Sequence, residues 1–331
     1  MDYDTYEDLQ GLWSDLEAAL ALVLTHPGQV SDVPQKVLQL DAWLQELMAH
    51  DSDAGLYLMY QLAAASTPVG YSASHALVCA TLSHLLAQSY RLPTLERNAL
   101  VHAALTMNIG MTQLQNQLAL QRERPSAAQQ EAIRVHAVEG RNLLERMQVT
   151  DKLWLDVVTL HHIHVEPTLP LLDPPPAERL ARLLATVDRY AAMISPRRTR
   201  AGRTVAESIQ MVTGPQSKLY QKAGEALKHC VGYYPPGVFV ALSDGTTAVV
   251  LRRSAVPGKP QVAKLLDARQ YPLAQPEIVM LANQDTLHIT HSLPAGEVRA
   301  RADARSMVRL GALMTGSTPK LRQVTHTPGQ Q

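Results

Sequence analysis

Residues 101–111 read VHAALTMNIGM, an apolar stretch with helical spacing that runs directly into Met107-Asn108-Ile109-Gly110-Met111. Two side chains followed by Ile-Gly at a helix end resemble a metal-binding socket in which the ligands have been replaced. Glycine permits the tight turn that such a socket requires. The stretch therefore predicts a helix that ends in a turn beside a pocket, and the surrounding residues decide the chemistry of that pocket.

The composition describes a folded chain with no overall charge preference. The 331 residues are 46% apolar, enough for one sizeable core or two modest ones. Thirty basic residues balance thirty acidic ones, so we expect no nucleic acid partner. The acidic start and the short early apolar run 18–24 favour a cytoplasmic protein with no membrane span. Cys79 and Cys230 lack CxxC spacing and are expected to be reduced thiols.

Apolar residues recur at intervals of three and four along the first 230 residues, as in amphipathic helices. Serines at the start of one such stretch, beginning at Ser72, are expected to cap the helix. The predicted helices cover 7–24, 33–47, 72–88, 94–107, 126–147, 151–164, 177–194, 203–213 and 216–230.

A different pattern follows Tyr233. Residues 238–242 alternate, Asp244-Gly245 is a tight-turn dipeptide, and 247–251 is rich in β-branched residues, so a hairpin is predicted. Short strands are expected to about His291, and a helix over 299–314. We predict a mainly α fold with an N-terminal helical segment (1–55), a helical domain (56–230), a small β-containing unit (231–315) and a disordered tail (316–331).

Five side chains of metal-binding type lie in or near predicted helices: His75, His136, His161, His162 and Asp188. A helical bundle can bring such residues into one cavity, where imidazole and carboxylate suit manganese, iron or zinc. Alternatively, each histidine is an ordinary core or surface residue with a hydrogen-bond partner. Adjacent histidines on a helix cannot both face one cavity without a local distortion.

The order of these motifs resembles the HD superfamily, and within it the HD-GYP branch of cyclic di-GMP phosphodiesterases. The likeness runs from about residue 55 to 268, and it is the order of its pieces that is specific, with the Pro-Pro-Gly stretch the strongest of them. The matching stretches are 75–79 (HALVC), 104–111 (ALTMNIGM), 136–140 (HAVEG), 161–163 (HHI), 188–192 (DRYAA), 195–197 (SPR), 231–238 (VGYYPPGV) and 242–245 (LSDG).

The resemblance implies an HD-type helical bundle whose central chemistry has changed. Met107 and Asn108 stand where the family has its His-Asp doublet, whose aspartate bridges two metal ions. Asparagine is neutral, methionine offers only a soft thioether, and Met111 replaces a lysine. We therefore expect a degenerate doublet and no catalytic residue.

Other departures agree with a reduced site. Ile163 replaces the glutamate of the HHE motif, the Gly-Tyr-Pro loop is absent, and Tyr71 stands where some members have an extra acidic ligand. The five candidate ligands suffice for one ion, so we expect either no metal or a single manganese or iron ion at low occupancy. Their alternative role is a hydrogen-bonded polar cluster. Arg197 and Arg200 are predicted to bind phosphate, or to form a solvated turn.

Three functions follow from the resemblance. The first is a degenerate signalling protein that binds cyclic di-GMP, or a signalling partner through the N-terminal helices, without hydrolysis. The second is a metal-dependent cyclic di-GMP phosphodiesterase with a reduced metal site. The third is a helical interaction scaffold.

Overall fold

The computed structural model describes residues 4–64, 70–162, 175–195, 203–214, 221–300 and 302–313. The helices are α1 Asp4–Thr25, α2 Val33–His50, α3 Ser52–Ala64, α4 Tyr71–Ser89, α5 Thr94–Thr106, α6 Thr112–Leu120, α7 Ala127–Arg146, α8 Lys152–Leu160, α9 Pro176–Ile194, α10 Val205–Thr213, α11 Gln221–Val231 and α12 Ala304–Leu313. The strands are β1 Phe239–Leu242, β2 Thr247–Arg252, β3 Gln261–Leu266, β4 Pro272–Met280 and β5 Ile289–Leu293. The predicted mainly α fold with a small C-terminal β unit is confirmed.

Helix α4 lies at the centre of the bundle and packs against α1, α3, α5, α9 and α11. It is buried continuously from Ser72 to Ala87, because small and apolar residues surround it on every face. The capping role expected for its serines is wrong. Gly70 precedes the helix without a side-chain cap, while the Ser72 hydroxyl donates to Gln115 and the Ser74 hydroxyl to Glu17. These serines tie α4 to its neighbours.

The sequence did not predict α3 and α6. In α3, residues Leu56–Tyr60 are all buried, so the helix lacks the one-sided apolar pattern that predicts helices. Helix α8 ends at Leu160, before the predicted limit of 164. The predicted tail 316–331 lies outside the described residues. Within the described ranges, no helix combines the length and apolar content that a bilayer crossing requires.

The C-terminal strands form one antiparallel sheet in the order β4-β3-β2-β1-β5. The predicted hairpin is confirmed, with Phe239 opposite Val249 and Ala241 opposite Thr247. Gly245 has a φ of +82° in the connecting turn, where glycine is favoured. The predicted terminal helix is the shorter α12.

The sheet is joined to α3 through the Pro-Pro-Gly turn. Gly237 has a φ of +89°, and an added Cβ would lie 2.9 Å from the Tyr57 carbonyl oxygen. Gln61 Nε2 donates to the Gly237 carbonyl oxygen at 3.2 Å. Arg253 Nε also donates to Asp53 Oδ1 at 2.6 Å. This turn therefore needs glycine both for its backbone conformation and for its close approach to α3.

The N-terminal helices pack on the bundle through a buried ion cluster of Asp41, His84, Arg97 and His102. Arg97 donates to both carboxylate oxygens of Asp41, with an Nη2–Oδ1 distance of 2.6 Å. His102 Nε2 lies 3.1 Å from Asp41 Oδ2, and Arg97 Nη2 donates to His84 Nδ1 at 2.8 Å. Burial alone would raise the pKa of Asp41, but hydrogen bonds from His102 and Arg97 lower it below its usual value. The cluster joins α2 to α4 and α5.

A second buried contact joins α3 to α9. The Tyr60 and Tyr190 hydroxyls hydrogen-bond to each other, and burial is the main cause that raises the pKa of both. We expect Tyr60→Phe to lower the free energy of unfolding by about 1–2 kcal/mol, because it leaves the buried Tyr190 hydroxyl without this partner. Urea denaturation measures the change. Tyr271→Phe, on an exposed side chain, should be neutral, and an equal loss in both variants would contradict the expectation.

Candidate functional site

Three histidines converge where α7 meets the end of α8, and we call them the three-histidine group: His136, His161 and His162. Their ligand atoms all lie within 4.8 Å of one another. His161 is buried and His162 exposed. Both histidines follow Leu160, the last residue of α8, and His161 is the C-cap with a φ of −62° and a ψ of −14°. The two adjacent histidines thus converge with His136 at the end of the helix.

The hydrogen bonds of this group fix its tautomers. His136 Nδ1 lies 2.6 Å from the Ile133 carbonyl oxygen, and His161 Nδ1 lies 2.6 Å from that of Val158. A carbonyl oxygen only accepts, so each Nδ1 carries a proton. The neutral rings then present their Nε2 lone pairs to each other, 3.3 Å apart. This pattern, with Nδ1–H donated to the backbone, is typical of metal-binding histidines.

The spacing and charge of the group also suit a cation. Two metal–nitrogen bonds of about 2.0–2.1 Å at the tetrahedral angle would place the nitrogens roughly 3.3–3.4 Å apart. Burial lowers the pKa of His136, and burial together with the charge of His162 lowers the pKa of His161 to about 3. Both rings are therefore neutral at pH 7, which is the form that binds metal.

A second group joins α4 to α9 and consists of His75, Cys79 and Asp188. His75 Nε2 lies 2.8 Å from Asp188 Oδ1 and 3.6 Å from Cys79 Sγ. Burial alone would raise the pKa of Asp188, but the hydrogen bond from His75 lowers it well below its usual value. The five predicted ligands therefore divide into two groups. Cys79 was not predicted as a ligand, although its position four residues after His75 on one helix face was a usable signal.

The turn after α5 places the replaced doublet against α7. Met107 is fully buried at the end of α5, and Asn108 follows it, also buried. A Cβ on Gly110 would lie 2.7 Å from the His136 carbonyl oxygen and 2.7 Å from the Gly140 nitrogen. Glycine is required at this position because the two backbones approach so closely. The turn that carries these two neutral side chains therefore packs against the α7 backbone near His136.

Asp188 is the single carboxylate in either ligand group of the described chain. Burial lowers the pKa of both His136 and His161, and the charge of Asp188 partly opposes this, so Asp188 lies near enough to act on the three-histidine group. Tyr71, at the position of the extra acidic ligand, stacks on His75 with ring centroids 5.6 Å apart. Arg197, Arg200 and Ile163 lie outside the described residues, so their predicted roles stay predictions.

No family model matches the chain, and no curated protein matches it in sequence. One solved structure does match, described as Bd1817, a HDG"Y"P protein from Bdellovibrio bacteriovorus. The match covers 69% of this chain and 74% of that one, with a TM-score of 0.51 and 17% sequence identity. The chain has an HD-GYP-type HD fold. At this identity the likeness establishes the fold and leaves activity to the residues of the site.

Within this HD-GYP-type fold, the two groups can hold a divalent ion. The three-histidine group offers three nitrogen ligands. The second group offers a nitrogen, a thiol sulfur and a carboxylate oxygen. A bound ion would supply Lewis acidity and an acidic water. The imidazoles of His136 and His161 are neutral and donate hydrogen bonds to backbone carbonyls. The Asp188 carboxylate accepts a hydrogen bond from His75. The expectation of either no metal or a single manganese or iron ion at low occupancy stays a prediction.

Proposed function

We propose that this chain is a degenerate HD-GYP-type signalling protein of the cytoplasm that binds its ligand or partner without hydrolysing a phosphodiester. The observation that carries the proposal is the pair Met107 and Asn108, which are buried on a turn that packs against the α7 backbone near His136. A two-metal phosphodiesterase needs an anionic side chain at this place, and these two residues supply none.

Electrostatic repulsion between metal ions supports the proposal. Two divalent ions separated by about 3.5–4 Å repel each other by roughly 15–20 kcal/mol at an effective dielectric constant of about 20. A bridging carboxylate offsets much of that energy, because it attracts both ions at once. The Asn108 amide carries no net charge, and Asp188 is already bonded to His75. We infer that the pocket holds at most one ion.

The ligand that the resemblance implies is cyclic di-GMP, with Arg197 and Arg200 on its phosphates. Arginine suits this role because its guanidinium can bind phosphate oxygens in a bidentate manner. A partner protein is the other candidate, since Leu22 on α1 and Leu38 on α2 expose apolar side chains. Calorimetry with cyclic di-GMP separates the two: heat that disappears in Arg197→Ala supports nucleotide binding.

A second candidate function is a single-metal phosphodiesterase. The spacing of the His136 and His161 nitrogens favours it, because one ion bound there can polarise a phosphoryl oxygen and acidify a water. A single ion cannot contact both the attacking and the leaving oxygen in the manner of a two-metal centre. We therefore rank this candidate below binding without hydrolysis.

A turnover assay on cyclic di-GMP with added manganese tests the proposal. We expect the natural protein to hydrolyse no faster than His136→Ala, which removes a ligand of the three-histidine group. The double variant Met107→His plus Asn108→Asp restores the doublet for comparison. Equal and appreciable rates in the natural protein and the double variant would contradict the proposal. Restored activity in the double variant is not required, because Met111 is a further departure.

A further inference from the structure

Cys79 gives the second ligand group a chemistry that the predicted histidine and aspartate ligands lack. Cys79 and His75 project from one face of α4, four residues apart, and Asp188 faces them from α9. Both α4 side chains are almost completely buried. The His75 ring also has a buried Nδ1 atom without a hydrogen-bond partner among the described residues. A thiol, an imidazole and a carboxylate thus meet inside the bundle.

The distances suit a tetrahedral ion. Zinc–sulfur and zinc–nitrogen bonds of about 2.3 and 2.0–2.1 Å, at the tetrahedral angle, would separate the two ligand atoms by roughly 3.6 Å. His75 Nε2 and Cys79 Sγ lie 3.6 Å apart. The Nε2–Oδ1 distance between His75 and Asp188 is 2.8 Å, a hydrogen bond. An ion in place of that proton would require the pair to open by about half an ångström to reach a tetrahedral edge.

Charge favours this group over the three-histidine group for a thiophilic cation. Once the Cys79 thiol is deprotonated by metal binding, its thiolate and the Asp188 carboxylate supply two negative charges, which match one divalent ion, whereas three neutral imidazoles supply none. Thiolate is a soft ligand that selects zinc over manganese. Since the pocket lacks an anionic bridge, occupation of one group disfavours a second ion in the other.

We propose that His75, Cys79 and Asp188 form a mononuclear site for zinc, with the Cys79 thiolate as a ligand. On binding, the Cys79 thiol loses its proton to solvent. The proton on His75 Nε2 moves to Nδ1, and the freed Nε2 lone pair binds the ion. The site goes beyond the proposed function, because it assigns a thiolate ligand and a metal class whether or not the chain hydrolyses a phosphodiester.

Cobalt(II) is the probe for this site, because a cobalt–thiolate bond produces a charge-transfer band in the near ultraviolet. The chain contains two cysteines, Cys79 and Cys230, which supplies a matched control. We expect the full-length metal-free protein to develop the band with one equivalent of cobalt. The band should persist in Cys230→Ser and in His136→Ala, and it should be lost in Cys79→Val. Added zinc should remove it by displacing cobalt.

A thermal denaturation series keeps the test independent of folding. Cys79→Val preserves an apolar side chain in the core, so it should unfold cooperatively, while zinc should raise the melting temperature of the natural protein more than that of this variant. Absence of the band in the natural protein, or its persistence in Cys79→Val, would overturn the proposal. Cobalt bound without the band would also overturn it, since that spectrum assigns the ion to imidazole ligands. None of these readouts depends on hydrolysis, so failure of the zinc site is distinguishable from failure of the proposed function.

Discussion

Replacement of Arg97 by methionine is expected to lower the free energy of unfolding by about 3–5 kcal/mol, the usual cost of breaking a buried ion pair from one side. Arg97 is 8% exposed, and its guanidinium binds both oxygens of Asp41, which is 3% exposed. Methionine keeps much of the packing volume and leaves the carboxylate buried with His102 as its remaining partner in the ion cluster. Urea denaturation of the two proteins measures the loss.

The exposed pair Glu131–Arg134 supplies the matched control. Its side chains are 58% and 71% exposed, so Arg134→Met should leave the free energy of unfolding nearly unchanged. The pH dependence of the stability provides a second test. Because the pKa of Asp41 is lowered in the folded protein, its stabilising contribution is present above the usual value of 3.8 and is lost as the pH falls. The difference in the free energy of unfolding between Arg97→Met and the natural protein should therefore become smaller in acid. Equal losses in the two arginine variants, or a gap that widens in acid, would contradict this account.

Substitution of Gly110 by alanine is expected to cost about 2–3 kcal/mol, because overpacking here meets backbone and not a movable side chain. The new Cβ would lie 2.7 Å from the His136 carbonyl oxygen and from the Gly140 nitrogen. To relieve this steric overlap, the turn that carries Met107 and Asn108 must move away from α7. Denaturant unfolding reports the cost.

Gly296 is the control for Gly110, since an added Cβ there meets nothing within 4 Å. Gly296→Ala should change the stability by less than about 0.5 kcal/mol. If Gly110→Ala were equally neutral, the turn after α5 would not be held against α7 as described. A neutral result would also weaken the placement of the turn that carries Met107 and Asn108 against α7.

Local patterns predicted the parts of the fold that have one-sided or alternating burial. Helix α2 begins at the predicted Val33, and the hairpin around Gly245 has the predicted turn. Helix α3 was not predicted, because residues Leu56–Tyr60 are all buried and the sequence therefore lacks a periodic apolar pattern there. The division of the chain at residues 55, 230 and 315 stays a prediction.

The sequence predicted which residues are candidate ligands, but it did not predict how these residues are grouped in space. The motif order pointed to His75 and Asp188, and the structure joins these two by a hydrogen bond. The convergence of His161 and His162 depends on where α8 ends, and helix ends are among the least predictable features of a sequence. The contact of Arg97 with Asp41 depends on the meeting of two distant helices, which no local spacing encodes.

Crystallographic anomalous scattering from manganese tests the central claim most directly. Crystals of the natural protein grown with excess manganese should show at most one anomalous peak in the pocket that contains His136, His161 and Asp188. Asn108 supplies no charge to hold two ions together, so the account predicts no pair. Two manganese peaks separated by about 3.5–4 Å would contradict it.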